Sequence, residues 1–347
     1  MTSPSVAVTI VMFNSARYIA KCLEYVFEQD YPDIQIVVID NASTDDTVAA
    51  IEPFRSHIEF VRNANNVGFA EGQNQAIALT NSDWVLTLNP DVRLTPNFIS
   101  KAVTAAESDE RVGSVSGKLL RMTAEFDTPA DKTIDSTGIY FTPELRHFDR
   151  GSGESDHRRY ERFEYVFGVT GAAAFYRRAM IQDVSIDGEF FDNDFFAYRE
   201  DADLAWRAQL LGWRCLYTPT AVAYHVRNVL PTNRRSVSSS VNMHSVKNRF
   251  LMRIKNITGD LYRGHFFAIT WRDLLILGAC LIREWSSLRA FAVVFSIYRK
   301  MLAKRKQIMS RRRVDSEYMS AWFSHAPVSF PAPNLVSQTT APAVTPR

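Results

Sequence analysis

Four short apolar runs constrain this chain more than any other feature: VAVTIVMF (6–13), IQIVVID (34–40), IEFVRN (58–63) and DWVLTLN (83–89). Segments with helical periodicity lie between them, at 16–29, 43–54 (opening on the cap-like STDD) and 68–80. Strand-like runs alternating with helices of this length specify βαβ units and a parallel sheet. In such a sheet, ligands bind beyond the carboxyl ends of the strands. Those ends carry Asn14, then Asp40 and Asn41, then Asn63 to Asn66, then Asn89-Pro90-Asp91. Alone, the last triplet is a turn, because proline fixes its backbone angle and Asn and Asp bond back to nearby main chain. Four strand ends that bring amides and carboxylates to one edge make a site.

No glycine cradle accompanies that edge. The first turn, FNSARYI, lacks G-x-G-x-x-G, and no G-x-x-x-x-G-K occurs, so dinucleotide and P-loop readings are weak. The edge suits a nucleotide held through carboxylate, amide and metal contacts. Gly68 and Gly72 would let the third loop and helix come close to a ligand or to the sheet. Residues 112–165 are less regular, and FDRGSGESDHRRYERFE (148–164) reads as a mobile loop. Order returns at YVFGVTGAAAFYRR (165–178). REDADLAWRAQLLGW (199–213) is then helical, with Gly212 as its stop. Glu200, Asp201 and Asp203 fall at the start of that helix, where acids complement the dipole. The dipole is expected to lower the pKa of Asp201. A carboxylate there can also take a proton from an acceptor hydroxyl. Trp206 and Trp213, at helical spacing, read as core.

With 347 residues, 46% hydrophobic and 22% charged, the chain can bury a large core. Cys22, Cys215 and Cys280 are odd in number and far apart, which suits reduced thiols in a cytosol better than disulfides or zinc. No basic, apolar leader precedes Val6, so no secretory signal is expected. Residues 264–298 are strongly apolar but interrupted by Arg272, Asp273, Arg283, Glu284 and Arg289. The uncharged stretch 274–282 is too short to span a bilayer. Residues 299–313 carry eight Lys or Arg and no acid. Two readings stay open here: helices packed on the catalytic domain, or a membrane-surface element whose basic run favours anionic lipid. Aromatic residues do not interleave the basic run, which argues against nucleic acid as a partner. Five prolines among residues 326–347 read as a disordered tail.

As a set, VTIVMFNSARYIAKCLE, VVIDNASTDDT, NNVGFAEGQNQAI, LTLNPDV, GAAAFYRR, FFAYREDADLAWRAQLLGW and AVAYHVRN resemble family 2 glycosyltransferases across about residues 5–230. Within that family the chain is most similar to bacterial rhamnosyltransferases that use a deoxythymidine-diphosphate sugar. The resemblance implies an α/β fold of the GT-A type, an αβα sandwich with a mostly parallel central sheet, followed by C-terminal helices. The expected divisions are 1–245 for the catalytic domain, 246–325 for a helical region and 326–347 for the tail. It also implies inverting transfer of one sugar, since the processive signature Gln-x-x-Arg-Trp is absent, with Mg²⁺ or Mn²⁺ as cofactor. The donor would meet Phe13, Asn14, Asp40, Asn41, Gly68, Asn89 and Asp91, with Phe13, Asp40 and Asn41 at the nucleobase. Asp91 and His225 would hold the metal, and Asp201, with Glu200 beside it, would act as general base. Asn41 and Asn89 stand where many members have Asp, which fits a deoxyribose, and so thymidine over uridine. The implied partners are a nucleotide-sugar donor, a saccharide or lipid-linked acceptor and a membrane surface, with the protein on the cytoplasmic side. A uridine-diphosphate hexose transferase, a nucleotidyltransferase and a non-catalytic sugar- or membrane-binding module are the rival readings; FNSARYI lacks the glycines a nucleotidyltransferase would want.

Overall fold

The computed structural model describes residues 3–227 and 239–332. Its central sheet runs, from one edge, β3 (Glu59–Arg62), β2 (Ile34–Asp40), β1 (Val6–Met12), β4 (Trp84–Leu88), β11 (Ala173–Arg177), β6 (Val112–Arg121), β12 (Arg214–His225) and β10 (Glu164–Val166). The first four are parallel, as the alternating pattern requires. β1 sits in the middle of them and is buried along its whole length, which is why every second residue is not polar. Strand β11 runs antiparallel between β4 and β6. β12 runs parallel to β6, so β12, like β4, ends at the ligand edge.

Register aligns the strand ends. Met12 pairs with Asp40, Asp40 with Arg62, and Leu88 with Ala173, the first residue of β11. β5 (Val92–Leu94), immediately after the Asn-Pro-Asp turn, pairs antiparallel with the end of β12, matching Val92 to His225. This pairing is what brings the fourth strand end and the histidine together.

Helices α1 (Ile19–Phe27) and α3 (Phe69–Ala78) form as expected. The 43–54 helix does not. It is one short α-turn, α2 (Thr47–Ala50), followed by a 3₁₀ segment from Glu52 to His57. Pro53 lacks the amide hydrogen that a continued α-helix needs, which accounts for the break. The stretch 148–164 is also tied down. Arg150 is buried between Glu164 and Thr137, Tyr160 is buried with its hydroxyl on Glu154 at 2.7 Å, and Tyr217 donates to the Tyr160 carbonyl. Its Arg150, Glu154, Tyr160 and Glu164 are held by partners, while Ser152, His157, Arg158 and Glu161 face solvent.

The C-terminal third shares the catalytic core. Helix α6 (Glu200–Leu210) packs against α7 (Ser239–Asn256), and Leu251, Met252, Met301, Ile308, Trp322 and Phe323 join Phe195 and Trp206 in one apolar cluster. The expected division at 245 falls inside α7, which is unbroken. The first residues of the proline-rich end, up to 332, are ordered, contrary to the expectation for 326–347. Phe330–Pro331 pairs with β10, and the Phe330 ring meets Trp322 edge-on at 4.8 Å. Asn228, at the end of AVAYHVRN, and the tail from 333 lie outside the described residues.

Candidate active site

The first two strand ends are built for polar contact. Asn14 adopts a left-handed conformation (φ 49°), and its side-chain oxygen accepts from the Thr44 amide at 2.9 Å, leaving Phe13 half exposed at the rim. Asp40 is buried, accepts from the Ser43 amide and pairs with Arg62 at 3.2 Å. Asn41 is buried with both ends of its amide engaged: it donates to the Gly68 carbonyl at 2.9 Å and accepts from Asn63 at 2.8 Å. A carboxylate could not donate to Gly68, so the amide at this position has a structural reason independent of any ligand.

Gly68 is required by its surroundings. Its φ of +89° disfavours side chains, and a Cβ would lie 2.6 Å from the Phe196 carbonyl oxygen. The close approach is therefore to the 196–199 loop. At Gly72 a Cβ would meet the Val11 side chain at 2.9 Å, so that glycine serves the packing of α3 on β1.

The Asn-Pro-Asp turn is held at both ends. The Asn89 amide donates to Ala172 at 2.9 Å, and the Asp91 carbonyl accepts from the Val226 amide at 3.1 Å. Its side chain faces His225, with Asp91 Oδ1 3.4 Å from His225 Nε2. On the far side, His225 Nδ1 lies 2.8 Å from Asp135, in β7 (Ile134–Ser136). Arg227 bridges Asp135 (3.1 Å) to Asp149 (2.7 Å), at the end of β9 (His147–Asp149). Burial opposes a charge on His225, but hydrogen bonds to Asp135 and Asp91 outweigh it and push its pKa up to about 10. Asp135 is buried too, yet His225 and Arg227 hold its carboxyl below the usual range.

Once the Nε2 proton is given up, one carboxylate and one imidazole braced by a second carboxylate would suit a divalent ion that keeps water or diphosphate oxygens as its other ligands. Among the described residues, no group of three or more His, Cys, Asp or Glu could hold a metal ion. An ion at Asp91 and His225 would thus take the rest of its coordination from donor and solvent.

Asp201 reaches the same place by another route. Its Oδ2 accepts from the Gly171 amide at 3.0 Å and its Oδ1 from the Ala202 amide at 2.7 Å. Gly171 directly precedes Ala172, which anchors Asn89, so one small-residue turn holds both the Asn-Pro-Asp turn and the carboxylate. The pKa of Asp201 is raised, contrary to the helix-dipole expectation. Burial dominates and the Asp149 charge adds to it, against the two amide hydrogen bonds and Arg199. Glu200 is buried beside it, pushed up to about 8 by burial and by Asp201. Its Oε2 has no hydrogen-bond partner among the described residues.

The approach to these acids is strained. Phe196, Tyr198 and Arg199 all have positive φ, a cluster that persists only where surroundings enforce it. Asn248 on α7 enforces it, donating to the carbonyls of Phe195 (3.0 Å), Ala197 (2.8 Å) and Tyr198 (2.6 Å). Asp203, two residues on, is structural: it is buried against Arg207, Lys255 and Asn256. Trp206 is core, and Trp213 is fixed by its indole N–H on Asp183. Asp135, Asp149 and Asn248 gave no sign in the sequence, since they lie in segments without a recognisable period or motif; Arg227 lies within AVAYHVRN but was not singled out there.

The family model for Glycosyl transferase family 2 matches residues 7–185. An N-acetylglucosaminyl-diphospho-decaprenol L-rhamnosyltransferase of Mycobacterium tuberculosis is 27% identical over 210 residues, 55% of this chain and 66% of that protein. An N-acetylglucosaminyltransferase of Bradyrhizobium diazoefficiens is 28% identical over 229 residues, 63% of this chain and 44% of that one. The chain thus spans less than two thirds of the length of these relatives. Among solved structures, the Pyrobaculum calidifontis mannosyltransferase PcManGT, in complex with GDP-Man and Mn²⁺, superposes with a TM-score of 0.52 at 18% identity, covering 90% of this chain and 86% of that one. S. aureus TarS 1-349 with UDP-GlcNAc gives 0.53 at 15% identity, over 88% and 89%. The fold is that of the GT-A glycosyltransferases, and the chain belongs to glycosyltransferase family 2.

Proposed function

We propose that this protein is an inverting, metal-dependent transferase that moves one sugar, rhamnose from its deoxythymidine-diphosphate donor, to a lipid-linked saccharide in cell-surface polysaccharide synthesis. The observation that carries the reading is the shared turn at 171–172. It ties Asn89, two residues before Asp91, and the partly buried carboxylate Asp201 to adjacent residues of one loop. The acceptor hydroxyl oxygen forms the new bond at the anomeric carbon as the bond to the diphosphate breaks, and the leaving diphosphate keeps that electron pair. The hydroxyl proton goes to Asp201, whose raised pKa makes it a better base than an exposed aspartate. Asp91 and His225 would hold a divalent ion, which would supply Lewis-acid stabilisation of the leaving diphosphate. Asp135 orients His225 from behind. The mycobacterial relative, whose name carries a decaprenol-linked acceptor, supports the lipid-linked acceptor, and such an acceptor would suit a protein working at the cytoplasmic face of a membrane.

The N-acetylglucosaminyltransferase relatives favour a second reading, with a uridine-diphosphate hexose as donor. A panel of nucleoside diphosphates and their sugars, read as melting shifts with and without Mn²⁺, separates the two. Deoxythymidine diphosphate should stabilise the protein more than uridine diphosphate, and only with the ion. Stronger stabilisation by the uridine nucleotide replaces the first reading with the second.

A further inference from the structure

The basic run 299–313 is not a free cationic surface. In α11 (Tyr298–Ser310), Lys300 pairs with Asp194, and Lys304 is buried against Glu189, Asp192 and Asp194. Arg305 donates to the Ile254 carbonyl, Arg311 to the Asp183 and Ser185 carbonyls, Arg312 to Val314 and Ser316, and Arg313 to Asp183. Six of the eight charges thus hold this helix and its C-terminal turn together and to the core.

The apolar stretch before it does the opposite. Helix α9 (Phe266–Ile282) turns Ile269 and Cys280 inward and is locked in that orientation by Asp273, which takes Arg249 and Arg253 from α7. Its outward stripe follows helical spacing: Phe267 (85% exposed), Trp271 (64%), Leu274, Leu275, Leu281 and Ile282 (78%). The turn after it exposes Trp285 (72%), and α10 (Arg289–Ser296) exposes Phe295 (86%). That turn packs on both helices, so the apolar residues belong to neighbouring elements. Exposed arginines stand at the helix ends, Arg263, Arg283, Arg289 and Arg299, against two acids, Asp260 and Glu284.

We propose that the α9–α10 face is a membrane-docking surface. It seats its apolar stripe and two tryptophans among the acyl chains at the interface of an anionic phospholipid bilayer, with the arginines at the headgroups. An apolar helix face with tryptophans at its edge and cations at its ends is complementary to that interface. A second copy meeting this face about a twofold axis would bring the arginine ends towards each other, which disfavours it. No helix of the described residues is long and apolar enough to cross a membrane. The docking rests, for its purpose, on the lipid-linked acceptor reading above, because it would hold the site near such an acceptor.

The test uses the full chain, without donor or acceptor, so it is independent of the sugar transferred. The protein is sedimented with vesicles of phosphatidylcholine alone and of phosphatidylcholine with phosphatidylglycerol, and Trp271 and Trp285 are followed by quenching with brominated lipid. Wild type should bind the anionic vesicles, quench, and stay partly bound in high salt, since salt screens only the arginines. Phe267→Glu with Ile282→Glu should weaken binding by roughly tenfold or more, as two apolar anchors are lost, with the melting temperature unchanged because both side chains already face solvent. Lys306→Gln, on the exposed remainder of the basic run, should bind like wild type. Absence of vesicle binding, equal binding by the double variant, or a concentration-dependent dimer that the double variant abolishes would each overturn the proposal. Vesicle binding without sugar transfer to any acceptor would leave the docking standing and remove only the proposed activity.

Discussion

Helix α6 carries two acids two residues apart with opposite fates. Asp203 is saturated: Arg207 at 3.0 Å, Lys255 at 2.8 Å and Asn256 at 2.8 Å all converge on it. Lys255 continues to Asp192, and Lys304 ties Asp192 to Asp194 and Glu189. Asp192 is buried, yet those lysines hold its carboxyl far below the usual range. Asp201, in contrast, has two backbone amides and the nearby Asp149 charge, and its pKa is raised. Burial is common to both clusters, so burial does not separate them. The difference lies in what surrounds the carboxylate. A structural acid is given cations until its charge is stable. The proposed base has only the Arg199 charge to set against burial and Asp149, so its proton affinity stays high.

Replacing each acid's support should break this contrast in opposite ways. Asp201→Asn removes the proposed base but keeps the shape. Donor binding and melting temperature should stay near wild type, while the transfer rate falls by roughly 10²–10⁴, the usual worth of a general base. Near-normal turnover in Asp201→Asn, with loss in Glu200→Gln, would move the base by one residue.

Lys255→Met tests the other cluster. It strips a fully buried ammonium from two buried carboxylates, and removing one partner of such a pair costs about 3–5 kcal/mol. Chemical denaturation should show that loss. Where the variant is folded, its transfer rate should remain within a fewfold of wild type. A large rate loss with unchanged stability would mean the two clusters are not separate.

The strands and their polar ends were legible because a parallel sheet writes itself as β-branched runs with turn residues at fixed ends. Asp201 was legible as an acid at a helix start, but its distinction from Asp203 was not. At about 100° per residue the two point to opposite sides of α6, and only α7, some fifty residues later in the chain, decides which side is filled with cations. The basic run left two readings open for the same reason. Its charges are visible, while their partners, Asp183 to Asp194, are scattered over a loop and a helix end. Asp135 and Asp149 come from short strands that no period announces.

Between these extremes lies Asn248, which touches no acid but fixes the three carbonyls leading into α6. Asn248→Ala should cost about 1–3 kcal/mol of stability through those bonds. The transfer rate should drop by roughly tenfold, about what a small displacement of a positioned base costs. Donor affinity, measured by titration, should change little, since the proposed donor-side residues other than Gly68, which abuts Phe196, lie on other strand ends. A weakened donor affinity with an unchanged rate would assign Asn248 to packing alone.

The smallest expected effect is the most direct probe of the electrostatics. Because the Asp201 carboxyl must be ionised to accept a proton, the acid limb of the rate profile reports its pKa in the working complex. That limb should lie above the ordinary aspartate range of about 3.9. Activity is then lost as pH falls through the raised value. Asp149 is one of the causes of that rise, acting through space as a like charge. Removing its charge in Asp149→Asn lowers the cost of ionising Asp201, so the limb should move to lower pH while the plateau rate changes little. Asp149 also takes Arg227, which bridges to Asp135 behind His225, so donor affinity in the same variant reports any disturbance on the metal side. A limb that moves up, or stays fixed while donor affinity is normal, would show that burial alone raises the base and that the carboxylate chain from Asp135 to Asp149 ends short of Asp201.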